Sequence, residues 1–150
     1  MPPDRAVVIQ KLLAEYHAHG YPGRYAFIAP SDPNGFLYVF PEGAANERGS
    51  MERQQALTNS KVAVTIREGQ ALIGVLQDVL KQLSRTAGSE VGLGGIAMNS
   101  MFQPAPGLQV KNTEEAAHLF FNRTASALKQ SSWRVLWDPT LKFYLMVYFP

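Results

Sequence analysis

The chain has 150 residues, of which 46% are hydrophobic and 17% charged, a balance that excludes a disordered polymer and suffices for one ordinary core. It has no cysteine, which excludes disulfides, thiolate metal sites and a cysteine nucleophile and fits a reducing, cytoplasmic setting. The net charge of +2, from 14 basic and 12 acidic residues, is built from singly scattered side chains, so bulk charge neither favours nor excludes nucleic acid.

Residues 5–19, RAVVIQKLLAEYHAH, place Val8, Ile9, Leu12, Leu13 and Tyr16 at helical spacing. Asp4 is placed to cap the first amides, Gly20 suits the position after the last turn, and Pro22 prevents continuation. The opening segment lacks a basic stretch followed by a long apolar run, so no signal peptide is expected. No apolar run in the chain approaches the roughly 20 residues of a membrane helix.

Segments 24–29 and 35–40 read as strands joined by the turn residues PSDPNG. Residues 41–60 are polar. KVAVTIR at 61–67 alternates as a strand with Val62, Val64 and Ile66 on one face. A helix over about 69–85 buries Leu72, Leu76, Val79, Leu80 and Leu83. The Gly- and Pro-rich segment 88–110 is long for a loop in a compact fold and is expected to be functional, mobile or partly structured. A third helix is predicted from Asn112, with Glu115 completing a capping-box-like pair, and it buries Ala117, Phe120, Phe121, Thr124 and Leu128. A hairpin of WRVLW and LKFYLMVYF, joined by DPT, ends the chain.

Helix, RYAFIA, turn and FLYVFP resemble helix, WRVLW, turn and LKFYLMVYFP. A degenerate αββ repeat is one reading; the common composition of apolar hairpins is the other.

Alternation assigns Ala26, Ile28, Leu37 and Val39 to one face of the first hairpin and Tyr25, Phe27, Phe36, Tyr38 and Phe40 to the other. On the last strand it assigns Leu141, Phe143, Leu145, Val147 and Phe149 to one face and Lys142, Tyr144, Met146 and Tyr148 to the other. A sheet covered on one side should alternate apolar with polar residues, and these strands do not. The expectation is that helices pack on the aliphatic face. The aromatic face then requires the 88–110 segment, a second copy or a ligand to cover it.

GRYAFIAPSDPNGFLYVF, residues 23–40, resembles the aromatic hairpin of cold-shock domains, in which K-G-[FY]-G-F-I leads through a turn to V-F-V-H-F. Tyr25, Ala26, Phe27 and Ile28 match the first segment, with Gly23 and Arg24 transposed. Tyr38, Val39 and Phe40 stand where the second has Phe, Val and His. The likeness covers about 18 of 150 residues, follows a helix where the family has a strand, and ends at residue 41. It is read as convergent hairpin chemistry. What it implies is stacking of these rings on single-stranded bases.

Gly92, Gly94 and Ala97 fit G-x-G-x-x-A, but a helix precedes them where a dinucleotide site needs a strand, so a loop is the better reading. His17 and His19 lie two apart on a helix and point away from each other. No P-loop, serine elbow or zinc spacing appears.

The sequence therefore predicts a single α+β domain, 1–150, with about five mostly antiparallel strands and three main helices largely on one face. The functional expectation is a non-enzymatic interaction or regulatory module. It binds a protein partner, or itself as a homodimer, through Arg24, Tyr25, Phe27, Phe36, Tyr38, Phe40, Arg134, Tyr144, Met146 and Tyr148. A single-stranded nucleic-acid binder using residues 24–40 is the alternative. A small enzyme with a site near 88–110 and His118 or Asp138 is the second. No cofactor, metal or membrane association is expected.

Overall fold

The structure is a computed structural model that describes residues 4–32, 35–45, 48, 50–94, 99–104 and 111–150. The chain divides into two compact units, residues 1–56 and 57–150. Among the described residues, three helices and eight strands with mainly antiparallel pairing make it an α+β protein.

The first unit opens with α1, Arg5–Ala18, whose first turn is capped by the Asp4 carboxylate accepting the Ala6 amide at 2.9 Å. Gly20 follows the helix at φ +71°, the left-handed conformation that glycine adopts without strain. Three antiparallel strands come next: β1, Arg24–Ile28, β2, Tyr38–Ala45, and β3, Met51–Arg53, in spatial order β1-β2-β3. The helix is tied to β1 at its C-terminal end. The Tyr25 amide donates to His17 Nε2 at 3.1 Å, and the Tyr16 and Tyr25 rings meet edge-on at 5.6 Å.

No residue of α1 is buried. Ile9, Leu13 and Tyr16 are half-buried, whereas Val8 is exposed and Leu12 retains 55% exposure. The apolar stripe read from the sequence is thus wider than the surface the helix covers.

The second unit contains β4, Lys61–Ile66, α2, Leu72–Ala87, β5, Val91–Leu93, β6, Lys111–Ala116, α3, Ala117–Ala127, β7, Ser132–Asp138, and β8, Phe143–Phe149. Short 3-10 turns lie at Leu57–Asn59 and Asn99–Phe102. Strands β4 and β6 form an antiparallel pair. In the other sheet β8 is central, parallel to β5 on one side and antiparallel to β7 on the other.

Every second residue of β4 is buried, as its alternation predicts: Val62, Val64 and Ile66. They join Leu72, Val75, Leu76, Val79, Leu80 and Leu83 of α2, Ala117, Phe120 and Phe121 of α3, and Val91 and Met146 of the second sheet. Burying each large aliphatic or aromatic side chain contributes about 1.5–3 kcal/mol relative to leaving it in water.

Side chains of α2 also close two strand edges. The Gln82 amide accepts from Ala63 N–H at 2.8 Å and donates to Ala63 C=O at 2.7 Å. Ser84 Oγ accepts the Val91 amide at 2.9 Å.

The third helix begins later than the sequence suggests. Residues Asn112 and Glu115, read as its cap, belong instead to β6, where Glu115 pairs with Val62 and Asn112 with Thr65. The successive amides and carbonyls of β4 need a partner strand, and that tertiary demand overrides the local capping signal. Glu115 retains a role at the junction, forming a partly buried ion pair with Arg123 of α3.

The contrast between the helices gives a stability test. Phe120→Ala, at a fully buried position, is expected to cost about 3–5 kcal/mol in urea unfolding. Leu12→Ala on α1 should fall within about 0.5 kcal/mol of wild type. Equal losses at the two sites would contradict this difference in burial.

Candidate interaction surface

Strand register decides which side chains share a face, because residues directly opposite each other point the same way. In the first hairpin Tyr25 faces Pro41 and Phe27 faces Val39, while Ala26 faces Phe40 and Ile28 faces Tyr38. The rings therefore do not form the single platform expected from alternation. Tyr25 and Phe27 lie on one face, with Tyr25 against Tyr16 of α1. Tyr38 and Phe40 lie on the other, stacked at 5.0 Å.

Parity along each strand follows the alternation; the pairing across the long turn does not, since composition does not fix it. Tyr38 retains only 5% exposure, and Phe36 and Phe40 are half-buried. Arg24 is exposed at the margin, its Nε donating to Glu42 Oε1 at 2.9 Å.

The last strand requires a larger correction. Met146 has no exposed surface and sits within the core, and Tyr144, Tyr148, Trp133 and Val135 pack against that core. Trp133 Nε1 donates to Asn122 of α3 at 2.8 Å, and the Tyr148 hydroxyl shares a hydrogen bond with Thr124. Burial pushes the Tyr148 phenol well above its ordinary pKa, against a smaller opposing effect of the Thr124 hydroxyl. The helices have thus taken the Tyr/Met face, the one expected to be bare.

The opposite face carries the outward-pointing residues. Register places Arg134 opposite Val147, Leu136 opposite Leu145 and Asp138 opposite Phe143. None of these six is buried, Arg134 is exposed, and Leu136 keeps 47% of its surface. The Arg134 guanidinium lies 4.7 Å above the centre of the Phe149 ring, a cation–π contact on that same face. On the β5 side, open space surrounds the missing side chain of Gly92, and a Cβ on Gly94 would come within 2.9 Å of Val147. The backbone at Gly94 thus passes close over Val147 and Leu145, and both are half-buried.

Of the residues proposed from sequence in this unit, only Arg134 belongs to the outward face. Leu136, Phe143, Leu145, Val147 and Phe149 are surface residues that the sequence reading does not single out. The signal is present in β7: Ser132, Arg134 and Asp138 share one parity and are polar, whereas Trp133, Val135 and Trp137 share the other. Carried across the short DPT turn, that polarity marks the Phe143/Leu145/Val147 face as the outer one.

The residues suggested for an enzyme have local structural partners. Asp138 Oδ1 accepts the amides of Thr140 at 2.8 Å and Leu141 at 2.9 Å, fixing the hairpin turn. His118 Nδ1 lies 3.3 Å from the Thr58 carbonyl. A carbonyl only accepts, so Nδ1 carries the proton and donates. Of the G-x-G-x-x-A segment, Gly92 lies in β5 and Gly94 follows it, its amide donating to Met146 C=O at 2.8 Å; Ala97 lies outside the described residues. Among the described residues, no three His, Asp or Glu side chains gather as a metal ion would require, and no helix is long and apolar enough to cross a membrane.

Burial lowers the pKa of His118 below its ordinary 6.5, a shift the Thr58 hydrogen bond partly opposes. The unfolded chain then binds the proton more readily than the folded one, so stability falls as pH drops through and below 6.5. Urea midpoints at pH 7.5 and 5.5 should differ less for His118→Asn than for wild type; an unchanged difference would contradict the burial effect. No family model, curated protein or solved structure matches the chain.

Proposed function

We propose that the chain is a non-enzymatic interaction module whose binding surface is the outward face of the C-terminal hairpin. The observation that carries this reading is the apolar row of exposed Leu136 and half-buried Leu145 and Val147, flanked by Arg134 on Phe149. Apolar and aromatic residues with an arginine at the margin are the composition of interface cores. The hairpin is held from behind by core packing through Met146, so the face is presented on a rigid support.

The aromatic segment 24–40 contributes less to this reading than its composition suggests. Its rings are divided between two faces, and a base-stacking platform needs them on one.

The test is site-specific photocrosslinking in the native host, with the reactive residue at position 136 or 147 and, as control, at exposed Gln77 of α2. Positions 136 and 147 are expected to yield a protein adduct and position 77 none. Absence of any adduct at 136 and 147 would refute the reading. A mixed single-stranded oligonucleotide at low salt is expected to leave electrophoretic mobility and tyrosine fluorescence unchanged. A shift that Phe27→Ala weakens by roughly 1–3 kcal/mol would instead favour nucleic-acid binding.

A further inference from the structure

Three of the sheet edges of the second unit, those of β4, β5 and β7, are treated unequally. On β4 the backbone of Ala63 is occupied by the Gln82 amide, and on β5 the amide of Val91 by Ser84. Strand β7 is the last in its sheet, with β8 on one side and no further strand beside it among the described residues. It is seven residues long, regular in its pairing with β8, and has no proline. Natural edge strands normally carry bulges, prolines or inward-pointing charges that discourage pairing.

We infer that β7 pairs antiparallel with β7 of a second copy of this chain, joining two three-stranded sheets across a two-fold axis at Leu136. This goes beyond the reading of the outward face: the pairing uses the outer edge of β7 and leaves Leu145 and Val147 of the central strand β8 uncovered.

Register and charge select this pairing. A two-fold axis normal to the sheet preserves its faces, so every residue must oppose one of its own parity. The allowed registers therefore differ by steps of two residues. Centring on Arg134 opposes two guanidinium groups. Centring on Val135 sets Arg134 against Leu136. Centring on Leu136 opposes Leu136 to itself, Val135 to Trp137, and Arg134 to Asp138 twice over. That register alone pairs both charges with opposite ones and both apolar faces with apolar residues.

It also has a natural end, since Pro139, which cannot donate, follows Asp138 directly. Asp138 uses Oδ1 for its own turn, leaving Oδ2 for the arginine of the second copy. Arg134 is exposed, and Trp137, on the inner side of the new pair, retains 46% exposure to be covered. Five residues from each copy make a small interface, consistent with association at about micromolar concentration.

The test exploits self-opposition at position 136. Purified wild type at about 100 μM is expected to scatter light as twice 16.6 kDa. Leu136→Lys and Leu136→Glu, changes at an exposed position, should each be monomeric, with association weakened at least about a hundredfold and circular dichroism unchanged. Mixing the two should restore a one-to-one dimer, because lysine then faces glutamate. Arg134→Glu, which opposes two carboxylates in this register, should also be monomeric.

A monomeric wild type, or a mixture of the two position-136 variants that stays monomeric, overturns the self-pairing. The outward-face reading is judged separately by the adduct at position 147, on the central strand and away from the β7 edge. An adduct at position 136 with twice the chain's mass accords with self-pairing, and an adduct at position 147 supports the outward face whatever the mass of the wild type.

Discussion

In the strand Phe143–Phe149 the side chain of Met146 is taken wholly into the core, and strand geometry then leaves the other six residues no choice. Tyr144 and Tyr148 turn inward beside it, and Phe143, Leu145, Val147 and Phe149 turn outward. Because β8 is the central strand of its sheet, the same decision passes through backbone pairing to both neighbours. Trp133 and Val135 of β7 join the inner layer with Val91 and Leu93 of β5, and Arg134 and Leu136 are sent out. One core contact thus determines which surface the molecule offers.

The Met146 face wins for reasons of shape and hydrogen bonding. Helix α3 presents Phe120, Phe121 and Thr124, and the opposing strands supply Trp133 and Tyr148, whose polar atoms find Asn122 and Thr124. A buried indole N–H or phenol without a partner would cost about 1–3 kcal/mol, and on this face both groups find one. The outer parity of β8 offers only aliphatic and phenylalanine side chains, which need no partner wherever they lie. Its single long cation, Arg134, stays in water and rests on Phe149.

This explains what can be read from the chain and what cannot. Strand β4 and helices α2 and α3 are legible because polar residues mark their outer sides, so Val62, Val64, Leu76 and Phe120 have one possible orientation. Strand β8 is not, since both of its parities are apolar. The decisive information lies in Ser132, Arg134 and Asp138 of its partner. The first hairpin hides its register in the long turn between Ile28 and Tyr38, which lets the same alternation place Tyr25 and Phe40 together or apart. Strand β6 reads as a helix start because KNTEEA carries a capping pattern, and only the pairing needs of β4 decide against it.

The treatment of edges connects the core to the surface. Gln82 and Ser84 project from the same helix that carries Leu76, Val79 and Leu83, so the packing that fixes α2 also positions the groups that occupy β4 and β5. Helix α3 serves β7 differently, reaching Trp133 through Asn122 and Phe121 and so holding its inner face. The result is a strand clamped in position from one side, with Leu136 and Arg134 outward. A rigid strand meets a partner without first having to be ordered, and an ordering cost of roughly 1–2 kcal/mol per residue is thereby avoided. The same core contacts that buried the tyrosines and Met146 would thus prepare β7 for pairing, with the recognition step carried by its charged and aliphatic side chains.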